Sequence, residues 1–249
     1  MKTSLDEGVD TTAILADEID RVVAEVHGWL DPLEGRLLFR LAQQADPAGW
    51  IVEIGSWQGR STIWLAAGAK AGRGARVAAV DPHRGTYLRD EDETTEPALR
   101  RNLARAGVDD QVDVIVATSE SAAATWDRPV SLLWIDGDHE YESVRQDVLR
   151  WERHLLPDAI VALHDTFMWP GPERVVDELL VGSRRYRGFE YADTTTAARR
   201  CEALTGRQVL ELRVEVLRRK LYGIRLRAYD ANTFGYARFR DAIGRLASR

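Results

Sequence analysis

One cysteine, Cys201, stands in a chain of 249 residues. Its solitude excludes an internal disulfide framework and any cysteine-built metal cluster, and makes a reducing, cytoplasmic setting the expectation. Long apolar runs are missing too: no window approaches the roughly 20 apolar residues that a membrane helix needs. The opening stretch MKTSLDEGVDTTAILADEID lacks both the basic start and the apolar core of a signal peptide. Net positive charge is also absent. With 34 Lys and Arg against 40 Asp and Glu, the chain carries −6, which disfavours nucleic acid as the main partner, because such binders draw their affinity from basic surfaces. Internal repeats and long low-complexity stretches are not seen.

What is present is alternation. From Thr11 to Ala45 apolar residues recur at helical spacing, broken by the turn at Asp31–Pro32, so two or three helices are predicted ahead of the core. Short apolar strands are then predicted at Ile51–Ile54, Arg76–Val80, Gln111–Val116, Ser131–Ile135 and Ala159–Leu163, with helical segments at Glu96–Ala106 and Tyr141–Leu155 between them. This is the pattern of an α/β fold: a doubly wound, Rossmann-like, mostly parallel sheet with helical N- and C-terminal additions. The expected division is a helical cap over 1–45, a catalytic core over 46–190, and a C-terminal extension over 191–249. Beyond Asp165 the sequence predicts a helix at Glu173–Leu180, a strand at Phe189–Ala192, a polar loop from Ala192 to Ala203, and an arginine-rich amphipathic segment over Gln208–Arg249. That last segment is expected to pack on its own domain or on a second subunit, as in a homodimer.

Glu53, Gly55, Gly59 and Ser61 follow the first strand and open a helix. Glycines let backbone turn tightly against a ligand, and an acid at the strand end can hold a cationic amine. A dinucleotide site would want Gly-x-Gly-x-x-Gly, yet Trp57 stands where its second glycine belongs, which opposes a nicotinamide-dependent oxidoreductase. Asp81 closes the second strand, where a carboxylate can accept from both ribose hydroxyls.

Asp136, Asp138 and His139 cluster after the fourth strand, and His164 and Asp165 after the fifth. Adjacent parallel strands lie about 4.8 Å apart, so the two clusters should meet, in an arrangement that suits one metal ion. The blocks VEIGSWQGRSTIWLA, AVDPH and WIDGDHEYESVRQDVLRWERHLLPDAIVALHDT together resemble the class I S-adenosylmethionine-dependent methyltransferases, in the branch of macrocin-type and rhamnosyl (sugar) O-methyltransferases. The resemblance spans roughly 29–167.

It implies that Glu53, Gly55 and Ser61 line the methionine end of S-adenosyl-L-methionine, Asp81 the ribose and the Ser119 region the adenine. Ser56, Gly59 and His83 complete the cofactor-binding set. It further implies a divalent metal, Mg²⁺ or Mn²⁺, on Asp136, His164 and Asp165, with His139 as general base and Asp136 beside it. Relatives carry an acid where this chain has His164, so this residue is either a ligand to a softer metal or a support behind the ligands. The implied reaction is methyl transfer to a hydroxyl of a sugar or glycosylated metabolite; a catechol-type phenolic acceptor is the alternative. Among the tryptophans, Trp64, Trp134 and Trp151 read as core, and Trp57 and Trp169 as pocket residues. The charged stretch His83–Pro97 reads either as a flap over the site or as a solvated loop.

Overall fold

The computed structural model describes residues 11–84 and 94–232. Two helices, α1 (Thr11–Val23) and α2 (Pro32–Gln44), precede the core. Asp31 caps α2: its side chain accepts from Leu33 N, Pro32 occupies the first helical position, and Glu34 reaches back to Asp31 N. This is a capping box, in which side chains satisfy backbone N–H groups that have no partner within the helix.

The parallel core alternates β1 (Trp50–Ile54), α3 (Arg60–Ala71), β2 (Val77–Asp81), α4 (Glu96–Ala106), β3 (Val112–Val116), α5 (Ser119–Thr125), β4 (Val130–Ile135), α6 (Tyr141–Glu152) and β5 (Leu155–Leu163). α7 (Pro170–Val175) runs on as a π-helical turn, Val176–Val181, followed by β6 (Tyr186–Ala192), β7 (Thr195–Arg200) and α8 (Gly206–Asn232). The sheet order is β3-β2-β1-β4-β5-β7-β6, parallel through β5, with β7 antiparallel to both of its neighbours.

Strands such as β1 and β4 are apolar on both faces because helices cover both. One apolar cluster joins Ile51, Trp134 and Ala162 to α2 and α3; the other joins Val52, Leu133 and Val161 to α6 and the π turn. From β1 the chain winds outward to β3, then returns to the other side of β1 as β4. The strand order therefore reverses between β1 and β4, and in such sheets the ligand crevice opens at the carboxyl ends of that pair.

The polar loop expected over Ala192–Ala203 is instead largely β7, lying inside the sheet with Thr195 and Thr196 fully buried. A stretch of Thr and Ala has no apolar run to mark it as a strand. Its hydroxyls are paired in place: Thr196 Oγ1 lies 2.6 Å from Thr166 Oγ1 and accepts from Arg219 Nη1 at 2.9 Å. Arg219 also donates to Asp177 Oδ1 (2.8 Å) and to Thr166 O (2.9 Å), which fastens this part of α8 to the chain's own sheet. Expectations for 1–10, most of the proposed flap (85–93) and 233–249 lie outside the described residues. Among the described residues no helix is long and apolar enough to cross a membrane.

Candidate active site

The turn after β1 is pressed against the end of β4. Gly55 has φ +89°, and a Cβ there would stand 2.1 Å from Asp136 O, so only glycine lets the two strand ends meet. Asp136 N donates to Ile54 O at 2.8 Å across the same gap. Gly59, also left-handed, is the N-cap of α3 and gives it no side-chain cap.

Glu53 is fully buried, its oxygens accepting from Ser61 Oγ and Thr62 Oγ1, each at 2.5 Å. Burial drives its carboxyl up to about 8, against the pull of those two hydrogen bonds. Both of its oxygens are thus taken up by α3. Asp81 gathers the turn and the end of β2, accepting from Trp57 N (2.8 Å) and His83 N (2.7 Å). His83 Nδ1 pairs with Thr95 Oγ1 at 2.9 Å.

Two buried polar atoms here, Ser56 Oγ and His83 Nε2, have no hydrogen-bond partner among the described residues. Buried polar groups without partners are rare, and such atoms at the open end of a sheet fit a polar ligand. Together with the glycine cradle, they make this crevice suited to a nucleoside cofactor. Ser119 is committed differently: its hydroxyl accepts from Trp151 Nε1 at 3.0 Å and also hydrogen-bonds Asp147, tying α5 to α6.

Beyond the turn, β4 and β5 deliver the acids and histidines together, as their adjacency requires. His139 Nε2 lies 2.8 Å from Asp165 Oδ2, and the His139 ring packs on Trp169 at 4.6 Å between centroids. Burial lowers the basicity of His139, but its hydrogen bond to Asp165 and the charges of Asp165 and Asp136 outweigh this and raise it above the ordinary imidazole value. Asp165 is held below the usual carboxylate range: burial pushes it up, and the His164 charge and the His139 bond outweigh that push. Asp138 is a turn residue, accepting from His139 N and Glu140 N. Tyr141 donates to Glu178 and is structural. Trp64, Trp134 and Trp151 are core, and Trp57 stacks on Trp29 at 4.9 Å.

His164 does not sit as the expected metal ligand. Its Nδ1 lies 3.0 Å from Asp136 Oδ1 and 3.5 Å from Asp165 Oδ2, while its Nε2 lies 3.0 Å from Glu34 Oε2. A bare nitrogen lone pair facing carboxylate oxygens would be repelled, and a proton on Nδ1 removes the conflict. Burial opposes the charged ring, but Asp136, Glu34 and Asp165 outweigh it and raise its pKa well above the ordinary imidazole value. Both ring nitrogens are thus engaged with carboxylates, and Asp165 is engaged with His139. Among the described residues no group of three His, Cys, Asp or Glu could hold a metal ion. The expected set Asp136, His164 and Asp165 comes together, but as a hydrogen-bonded network whose donors do not fit a divalent cation.

Glu34 belongs to this network and is invisible to motif reading. The capping box accounts for it locally, and its other partners lie 130 and more residues away.

Residues 52–166 match the methyltransferase domain family. Among solved structures, the chain is similar to the O-methyltransferase NovP (17% identity, TM-score 0.65, covering 77% of this chain and 100% of that one). It is also similar to the O-methyltransferase TomG from Streptomyces achromogenes, involved in tomaymycin synthesis and solved with S-adenosylmethionine (19%, 0.54, 79% and 92%). An O-methyltransferase from Bacillus cereus, solved with S-adenosylhomocysteine, matches likewise (20%, 0.53, 79% and 94%). A seven-stranded sheet in this order, a glycine turn at its switch point and the matched domain converge: residues 52–166 are similar to the methyltransferase domain family, and the chain has the fold of the class I S-adenosylmethionine-dependent methyltransferases.

Proposed function

We propose that this enzyme methylates a hydroxyl oxygen of a sugar or glycosylated metabolite, with His139 as general base. The observation that carries the reading is the His139–Asp165 pair at 2.8 Å, set beside Asp136 on the strand end that abuts the cofactor turn. When bound, S-adenosylmethionine supplies a sulfonium-activated methyl carbon; the hydroxyl oxygen bonds to it as the carbon–sulfur bond breaks and its electron pair stays on sulfur. Asp165 holds His139 by Nε2, which leaves Nδ1 to take the hydroxyl proton, as a carboxylate-oriented imidazole does in other transferases and hydrolases. Ser56, Ser61, Asp81 and His83 bind and orient the cofactor in this scheme, with Glu53 supporting Ser61. In the same scheme Asp136 accepts from the acceptor's hydroxyl. Ser119 reaches the adenine only by giving up Trp151.

Sugars are favoured over catechols on the sequence resemblance and on the aromatic faces of Trp57 and Trp169 at this edge, surfaces on which sugar rings stack. Calorimetry with S-adenosylhomocysteine, followed by a screen of sugar nucleotides, glycosides and catechols for release of that product, tests the proposal. Turnover of catechols alone would replace the sugar reading, and failure to bind S-adenosylhomocysteine would remove it. A cytoplasmic setting belongs to the same proposal and is supported by the single thiol. So does a homodimer: Leu210, Val214, Leu217, Leu221 and Ile224, each more than half exposed, recur along α8 at alternating four- and three-residue steps, the spacing of a helix-pairing seam. Light scattering on the wild type and on L217E/L221E reads the outcome; a monomeric wild type overturns it.

A further inference from the structure

We infer that Glu34, which lies outside the strand-end motifs, is a positioning residue for the reaction: through His164 it sets Asp165, the carboxylate that holds the His139 base. This rests on the reading of His139 given above. Glu34 is 1% exposed and accepts from five donors. Asp31 N (2.9 Å) and His164 Nε2 (3.0 Å) lie on Oε2; Thr194 N (3.1 Å), Thr194 Oγ1 (2.7 Å) and Thr195 Oγ1 (2.9 Å) lie on Oε1. A helix cap needs only the first of these bonds.

The four others draw β5 and the turn between β6 and β7 onto one carboxylate. Every other partner donates to Glu34, and a carboxylate offers only acceptors, so the 3.0 Å contact assigns the shared proton to Nε2 of His164. The His164 ring, packed on Trp134 at 5.7 Å, is then oriented with Nδ1 toward Asp136 Oδ1 and Asp165 Oδ2. Asp165 Oδ2 in turn holds His139. Orientation passes from α2 to the base through Glu34, His164 and Asp165, with hydrogen bonds at both ends and the 3.5 Å ion pair of His164 Nδ1 with Asp165 Oδ2 between them, much as an outer carboxylate fixes a working histidine.

Glu34→Gln discriminates. Its amide must replace one oxygen, and it faces fewer donors on the Oε2 side, where His164 loses its acceptor. Thr195→Val removes one Glu34 bond and leaves that of His164. Long-range ¹H–¹⁵N spectra of the histidine rings, recorded on free protein without acceptor, are expected to show a proton-bearing His164 Nε2 in wild type and T195V. In E34Q that signal is lost and the His139 ring signals move with it. Once an acceptor is found, E34Q turnover is expected to fall roughly 10–100-fold, with S-adenosylhomocysteine affinity kept and T195V turnover unchanged. Identical ring spectra in E34Q and T195V overturn the inference. Should E34Q not fold, a wild-type His164 Nε2 without a proton overturns it equally. Absence of any methyl transfer by wild type would refute the O-methyltransferase reading instead, while the spectra still decide the role of Glu34 toward His164.

Discussion

Alanine at Gly55 should be far more damaging than alanine at Gly74, although the two glycines share nearly the same backbone conformation, φ +89° and +80°. At Gly74 a Cβ would meet nothing within 4 Å, so the cost is left-handed strain alone, on the order of 1–2 kcal/mol. At Gly55 the same atom would stand 2.1 Å from Asp136 O, 2.6 Å from Asp136 C and 2.9 Å from Gly137 Cα. These are backbone atoms, and they cannot rotate away as a side chain would. Overpacking adds roughly 1–3 kcal/mol, and relief of the clash must part the ends of β1 and β4. For a chain of this size each kcal/mol moves the melting temperature by roughly 2–4 °C. G74A should therefore melt a few degrees below wild type and bind S-adenosylhomocysteine normally, whereas G55A should melt well below G74A and lose the cofactor. Thermal melts with parallel calorimetric titrations read both. Equal melting losses, or unimpaired cofactor binding by G55A, would refute the idea that this contact builds the site.

Glu53, with its carboxyl raised from 4.5 to about 8, binds a proton in the folded state that the unfolded chain has released across that window. Stability without cofactor should therefore fall as pH rises from the lower value to the higher, by at most roughly 5 kcal/mol; urea titrations of wild type and E53Q should diverge in that sense, and parallel curves would contradict it. His139→Gln should keep S-adenosylhomocysteine binding and lose turnover by roughly 10²–10⁴-fold. Because His139 must be neutral to accept a proton and its pKa lies above the ordinary imidazole value, wild-type turnover should climb with pH through a midpoint above about 6.5. A midpoint below that value would be wrong for this base. Excess chelator should leave turnover intact, since the donors of Asp136, His164 and Asp165 are spent on one another and on Glu34 and His139; loss restored by Mg²⁺ or Mn²⁺ would show that a cation reorganises the network.

The parallel core was legible because a central strand buries both faces and must be written in apolar residues. β1, β2 and β4 thus announce themselves, and chemistry-bearing residues at strand ends converge by topology. β7 hides because its interior is lined by threonines whose hydroxyls are satisfied by Glu34, Thr166 and Arg219, partners that no local pattern reveals. The C-terminal segment reads as a basic amphipathic helix, yet one of its arginines, Arg219, is a buried fastener.

The sequence by itself determined the glycine turn after β1 and the cluster of Asp136, His139, His164 and Asp165, because these depend on spacing along adjacent strands. Only the tertiary structure decided what His164 does, because its role is set by Glu34, which local reading accounts for entirely as half of a helix cap. Hydrogen bonds are short-ranged in space and indifferent to distance along the chain. A residue whose partners lie 130 and 160 positions away carries no periodic signal of them.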